Sequence, residues 1–371
     1  MKTFKFYQHK RNRKLHRKID AASSIYNHCI ALHKRYYRLF GRSLKPTQLM
    51  AHIAKKRRCS QYWQQVNAQA MQDVIQRIDR GYQLFFKHHG KGVRPPNFKK
   101  RVKYKSFTLK QNGYKLLGDG QIKIGTQIYR YWNSREIQGT VKTITVKRNP
   151  FGEIFIFVVT DYIDEHQQPM TGKSAGFDFG LKTFLTVSGG SRIESPLFLK
   201  QGINQIALAN RHLSRKQKGS KRREQARKHY ARVHEAIKNK RTEWFWKLAH
   251  QLTDQYDHLF FETLNLKGMQ RLWGRKINDL AFGEFLQILE FVAFKKGKTV
   301  GYVDQWYPSS KTCNHCKHVL ESLPLDVRRW RCPSCQAVND RDGNAANNIK
   351  EAGSLSLGVG DVRPSQTAIA A

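Results

Sequence analysis

The chain has 371 residues, with 68 Lys and Arg against 27 Asp and Glu and a formal net charge of +41. That surplus runs along the whole chain and is interleaved with aromatic residues, so it points to a polyanionic partner, nucleic acid rather than a membrane surface. Hydrophobic residues at 39% exclude a disordered basic tail, no apolar run approaches a membrane span, and residues 1–14 lack the apolar segment of a signal peptide. The composition therefore predicts a soluble, cytoplasmic protein of two or three domains.

In chain order, residues 3–7 read as a short strand. Leu15, Ile19, Ala22, Tyr26, Cys29, His33, Tyr37 and Phe40 then recur at helical steps, with Gly41 where the helix should stop. A weaker helix follows Pro46, with Leu49 and Ile53 on one face. A third is expected from Ser60 as N-cap through Val66, Ala70, Val74, Ile78, Tyr82 and Phe85. These stripes predict bundle core, with the basic faces left to meet phosphate.

Beyond Gly90 and Pro96 the period drops from 3.6 to two. Segments 102–109, 121–124, 128–132, 141–147 and 153–159 read as short strands between Gly, Asn and Pro turns, and predict a small β-barrel. Lys99, Lys100, Arg101, Lys103, Tyr104 and Lys105 set cations beside aromatics, as a nucleic-acid surface would. The polar stretch 161–174 is the candidate domain boundary.

Residues 175–187 predict strand, tight turn and strand, with Asp178 as a lone acid among apolar residues. A desolvated carboxylate needs a compensating partner, which a metal ion would supply; a turn or surface Asp is the alternative. A basic helical region over 205–240, interrupted near Gly219 and Ser220, leads to the apolar strand 258–262, which ends in a second lone acid, Glu262. A helix over 278–295 and a strand over 298–305 follow. Asp304 in that strand ranks below the other acids, because it lies close to the cysteines and suits a turn brace.

Cys313 and Cys316 form one CxxC and Cys332 and Cys335 a second, separated by fifteen residues. That spacing predicts a zinc ribbon, with disulfides as the alternative; four thiolates leave no open coordination position, so the zinc would be structural. Cys29 and Cys59 lie in helical patterns and are expected to be ordinary thiols. Asn339–Asn344 then delivers Asp340 and Asp342 to the start of a helix, where either could serve as a cap or a ligand.

The order of strand, turn and strand with an acid, helices, strand with an acid, helix, strand, and helix opening with an acid describes an RNase H type fold. Such folds gather carboxylates around two Mg²⁺ ions about 3.5–4 Å apart. Asp178 is expected to bridge the ions, with Glu262 and Asp342 completing the site. Hard oxygen ligands suit Mg²⁺ and thiolates suit Zn²⁺, so the two sites need not compete.

GFDFGLKTFLTVS, FFETLNLKGM, SSKTCNHC, RCPSCQ and DRDGNAANNI, in this order and spacing, resemble the RuvC segments and zinc ribbon of the TnpB family, the RNA-guided nucleases of insertion sequences related to type V CRISPR effectors. PPNFKKRVKYKSF is similar to the family's pattern in the first half. The resemblance implies catalytic acids at Asp178, Glu262 and Asp342, the last rather than Asp340, and zinc ligands at Cys313, Cys316, Cys332 and Cys335. All seven are present, unlike in the nuclease-inactive, repressor-like relatives. Lys317 departs from the Gly many members carry after the second cysteine, which leaves open the turn of that knuckle.

The implied architecture is α+β and multidomain. A β-barrel wedge would comprise residues 1–10 and 91–170, with a helical recognition lobe, 11–90, inserted. A RuvC-like α/β nuclease domain, 171–352, would carry a zinc ribbon at 306–339, and 353–371 would be a flexible tail. The implied partners are a guide RNA from the element's end and double-stranded target DNA, cut beside a short motif by a monomer with no membrane partner. A transposase of the same fold and a guided repressor that binds without cutting are the alternatives.

Overall fold

The computed structural model describes residues 2–7, 12–162 and 168–358, and the chain divides into two units, residues 1–164 and 165–371. The first contains β1 (Lys2–Tyr7), α1 (Arg13–Phe40), α2 (Pro46–Arg58), α3 (Gln61–Gln64), α4 (Ala68–Lys87), β2 (Ser106–Lys110), β3 (Lys115–Gly118), β4 (Gln121–Ile124), β5 (Gln127–Arg130), β6 (Val141–Arg148) and β7 (Ile154–Thr160). Asn12 opens α1 by accepting from the N–H groups of Lys14 and Leu15, and Gly41 closes it in the left-handed conformation, at φ 62°.

The single helix expected from Ser60 onward is two helices. Ser60 caps only the short α3, and the Asn67 side chain accepts from Gln69 N–H to begin α4. A second capping residue thus interrupts a stripe that hydrophobic spacing alone would have continued.

The strands of this unit form two antiparallel sheets, a four-stranded one in the order β1-β7-β6-β2 and a three-stranded one in the order β3-β4-β5. Trp132 N–H, just past β5, donates to Tyr7 O at the end of β1 at 2.7 Å. Helices and both sheets share one core, in which Phe4 and Phe6 meet Leu15, Ile19, Val74, Ile78, Ile122 and Ile156. The helical segment is therefore packed onto the strands. Asp20, buried on α1, is gripped by Arg148 at 3.0 Å and by Arg101. Burial pushes the Asp20 carboxyl up, but the two guanidiniums outweigh it and hold it below the usual range.

The second unit contains β8 (Ser174–Phe179), β9 (Thr183–Val187), β10 (Arg192–Glu194), α5 (Phe198–Ser214), α6 (Lys221–Gln255), β11 (His258–Glu262), α7 (Leu266–Leu280), α8 (Phe282–Lys296), β12 (Thr299–Val303), β13 (Arg329–Arg331), β14 (Val338–Asp340) and α9 (Arg341–Leu357). The helix expected over 278–295 starts only at Phe282. Ala281, left-handed at φ 47°, separates it from α7, whose presence the sequence pattern did not signal. Among the described residues no helix is long and apolar enough to cross a membrane.

Five strands form one sheet in the order β10-β9-β8-β11-β12, with β8 antiparallel to β9 and parallel to β11, which is in turn parallel to β12. Alternation along the strands sorts their side chains between two faces. Ala175, Phe177 and Phe179 on β8, with Leu259 and Phe261 on β11, enter a large core with Phe245 of α6 and Phe282 and Phe285 of α8. The alternate residues, Gly176, Asp178, Phe260 and Glu262, fall on the opposite face, where Phe260 packs with Val303 and Ile349 of α9.

Helix α9 lies so close to β8 that a Cβ on Gly176 would sit 2.1 Å from Ala346 O. The same closeness explains a difference from expectation at the C-terminal end. The segment 353–371 was expected to be a flexible tail, yet α9 continues through Leu357. Gly353 is buried against the Phe260 ring, which a Cβ would meet at 2.3 Å. The absence of a Cβ permits close packing there; residues 359–371 of the expected tail lie outside the described residues.

Candidate active site and metal centre

Asp178 and Glu262 each stand one residue beyond the register pair Phe177↔Phe261 of the parallel strands β8 and β11. Both therefore project from the face that α9 covers, at the ends of adjacent strands. Asp342 lies in the first turn of α9. The structure thus brings the three predicted acids into mutual electrostatic range. Burial, then the charges of Glu262 and Asp342, drive the Asp178 carboxyl well above the ordinary carboxylate range, and Arg341 and Arg328 offset this only in part. Burial likewise pushes the Glu262 carboxyl up.

Asp340 and Asp342 separate cleanly. Asp340 is the N-cap of α9, accepting from Gly343 N–H at 3.0 Å, and both its oxygens accept from Arg192 at 3.0 Å. Asp342, by contrast, keeps one exposed partner, Arg328, at 3.1 Å. Asp304 accepts from Trp306 N–H at 2.8 Å just after β12, and so braces the turn.

The four predicted cysteines are free thiols whose sulfurs all lie within 4.8 Å of one another. Cys313 and Cys335 Sγ are 3.7 Å apart and Cys316 and Cys332 Sγ 3.5 Å. A tetrahedral site with Zn–S bonds of about 2.3 Å needs edges of roughly 3.8 Å, so this cluster could bind a metal ion. Two matching turns build it. Cys313 O accepts from Lys317 N–H and Cys332 O from Gln336 N–H, each at 2.9 Å, and Lys317 and Gln336 both adopt positive φ, 63° and 60°.

Burial works against the Cys313 thiolate, but the N–H groups of Cys316 and His315 and the Asn339 amide bring this thiol down to about 6. Such outer donors are the usual companions of thiolate ligands.

Sequence reasoning missed how the cysteine segment is held to α9. Asn344 and Asn348, one turn apart and buried, each donate to Thr312 O at 2.7 Å, and Asn348 also donates to Ser309 O at 2.8 Å. Asn314 N–H donates to Asn344 Oδ1 at 2.9 Å. Asparagines at helical spacing after the second CxxC were the available signal. Arg192 and Arg328 carried none, since they are two cations among many.

Residues 157–272 match the family model described as "Probable transposase", and residues 282–349 match "Cas12f1-like, TNB domain". A Streptomyces pristinaespiralis protein named "Putative RNA-guided DNA endonuclease" is 31% identical over 308 residues, spanning 81% of this chain and 75% of its own length. An Escherichia coli protein, "Putative RNA-guided DNA endonuclease InsQ", is 26% identical over 318 residues, 80% of this chain and 77% of its own. Mimivirus relatives named TnpB-like are 27% identical over 228 residues, 57% of this chain and 43% of their own.

Among solved structures, the Cas12f1 chain of a complex with sgRNA and target DNA superposes with a TM-score of 0.58 at 14% identity, over 91% of this chain and 82% of that one. The mini RNA-guided endonuclease Cas_phi3 gives 0.56 at 9% identity, over 95% and 92%. These likenesses show a shared mixed α+β fold. The extent and identity of the Streptomyces match, with the two family models and the TnpB-like relatives, mean that this chain belongs to the TnpB family.

Proposed function

We propose that this protein is an RNA-guided DNA endonuclease of a transposable element, which pairs a guide RNA with one strand of duplex DNA beside a short motif and hydrolyses phosphodiester bonds with Mg²⁺. The observation that carries this reading is the convergence of Asp178, Glu262 and Asp342, where burial and like charge raise the Asp178 carboxyl. Gathering acids this way is costly without a compensating cation.

An all-oxygen donor set suits Mg²⁺, and Asp178, Glu262 and Asp342 are the residues that would hold it. When bound, the ions would supply an activated water and stabilise the leaving oxygen. The chain's part is positioning: two strand ends and one helix start fix the carboxylates, and the Asp340 cap with Arg192 fixes the helix start. The cysteine cluster would hold a structural Zn²⁺, four thiolates leaving no open position.

The strand order and the acids' places on it support reading 171–352 as a RuvC-like domain of RNase H fold with a ribbon at 306–339. By the same resemblance, the sheets of 1–10 and 91–170 would be a wedge and the helices of 11–90 a recognition lobe. The charge of +41 supports holding RNA and DNA together, with base pairing supplying most specificity, and by the same resemblance the protein would act as a monomer in a prokaryotic cytoplasm.

The matched family description favours one second reading, a transposase. The test is cleavage by protein purified with RNA from its own element, on guide-matched duplex DNA with randomised flanks and Mg²⁺. Cutting that needs guide match and a particular flank, and is lost in Asp178→Ala, is expected. Guided binding without cutting would make it a repressor, and strand joining to transposon ends a transposase.

A further inference from the structure

Helices α1 and α4 run in the same direction. Lys18 and Asn67, near their starts, line one cleft, and farther along His33 stacks on Tyr82 with ring centroids 4.8 Å apart. Beyond that contact Tyr36 still rests against the core, and both helices carry further aromatics outward. Tyr36 packs on Phe40 at 4.7 Å, Tyr82 on Phe86 at 6.3 Å and Phe86 on Phe85 at 5.3 Å. The segment after Pro96, which meets α4 at Gly81, adds Phe98, whose ring lies 4.8 Å from Lys34 Nζ. Tyr37, Phe40, Phe86 and Phe98 remain 61%, 57%, 56% and 53% exposed.

A cluster of half-exposed rings costs solubility unless something covers it. Charge identifies the occupant. Residues 33–42 carry four Lys and Arg and residues 82–94 carry three, with no Asp or Glu in either stretch. A second copy of this chain would set like charge against like charge, whereas a nucleic-acid strand brings phosphates for the cations and bases for the rings.

We infer that the outer ends of α1 and α4 form a stacking platform for unpaired bases of a bound nucleic-acid strand. Flat rings accept any base, so the platform holds a strand without reading its sequence. The inference rests on the nucleic-acid-binding part of the proposed function and on none of its catalysis.

The test is binding of a single-stranded RNA carrying 2-aminopurine by the full-length protein, without Mg²⁺. Wild type should quench the fluorophore. The Tyr37→Ala/Phe40→Ala/Phe86→Ala variant should lose the quench and bind at least about tenfold more weakly, with its salt dependence unchanged because every cation remains. The Tyr37→Phe/Phe40→Tyr/Phe86→Tyr variant should behave as wild type, which separates stacking from misfolding. Undiminished quenching in the alanine variant, equal competition by a blunt duplex, or a wild-type dimer that the alanine variant dissolves without changing RNA affinity would each overturn the inference. A protein that binds RNA but never cuts DNA leaves it standing.

Discussion

Asp340 and Asp342 are two residues apart on the same helix start and have different duties. Asp340 closes the cap and engages Arg192, while Asp342 belongs to the acid cluster. Spacing alone could not divide these duties, because either acid suits a helix start; cap geometry does. Asp178 and Glu262 were more legible, as single acids in apolar strands whose alternation puts them on one face.

The pair Lys298–Asp257 shows what was not legible. It is buried and joined at 2.5 Å, yet its members are 41 positions apart and ordinary in sequence. Burial pushes the Asp257 carboxyl up, but Lys298 and the N–H groups of Thr171 and Gly172 hold it below its usual 3.8. A carboxyl depressed in the folded state stabilises fully above its unfolded pKa, and that contribution is lost as pH falls through the folded value. Thermal melts should therefore show the wild type losing this stability only below about pH 4. Lys298→Met should cost about 3–5 kcal/mol at neutral pH by leaving Asp257 uncompensated. Adding Asp257→Asn to it should recover much of that loss, and no recovery would show that the pair is not the cause.

The knuckle turns also belong at the residue scale. Lys317, which departs from the family's glycine, holds the same left-handed backbone as Gln336. The turn survives the substitution at a local cost of about 1–2 kcal/mol. Gln336→Gly should relieve that strain and raise denaturant resistance by up to about 1 kcal/mol, after glycine's larger unfolded-state entropy is counted. A loss of stability would mean that the side chain matters more than the backbone.

Among the elements, β8, β9, β11, β12 and the long helix α1 were readable from apolar runs, period and ends, whereas the three-residue strands β10, β13 and β14 are too short to write a period and α6 runs on to Gln255, past the 205–240 expected. The breaks at Gln65–Asn67 and at Ala281 were not readable, since capping and a left-handed residue leave the hydrophobic period almost untouched. Nor was the contact of α9 with β8, which depends on Gly176 and on what lies across from it. Gly176→Ala should force α9 away from the sheet, costing about 2–3 kcal/mol. It should also depress cleavage more than binding, because Asp342 moves with the helix. Unchanged melting and cleavage would mean that α9 is free to shift.

Taken whole, the chain has 68 Lys and Arg against 27 Asp and Glu, and the three acids that gather half-buried on one face of the second unit's sheet are the ones its proposed chemistry needs. Composition made the polyanionic partner legible, and the CxxC spacing and the lone acids in apolar strands made the cysteine cluster and the acid cluster legible. The sharing of one core by the helices and strands of residues 2–162 was not, because no local pattern records which elements pack together.

The assignment of Asp342 rather than Asp340 to the acid site is tested most directly by the guided cleavage rate of Asp342→Asn beside Asp340→Asn, with RNA binding and melting temperature followed in both. Asp342→Asn should lose at least about a thousandfold in rate with RNA binding intact. Asp340→Asn should keep most of the rate, since asparagine also caps helices. Near-normal cutting by Asp342→Asn, or a collapse confined to Asp340→Asn, would contradict that assignment.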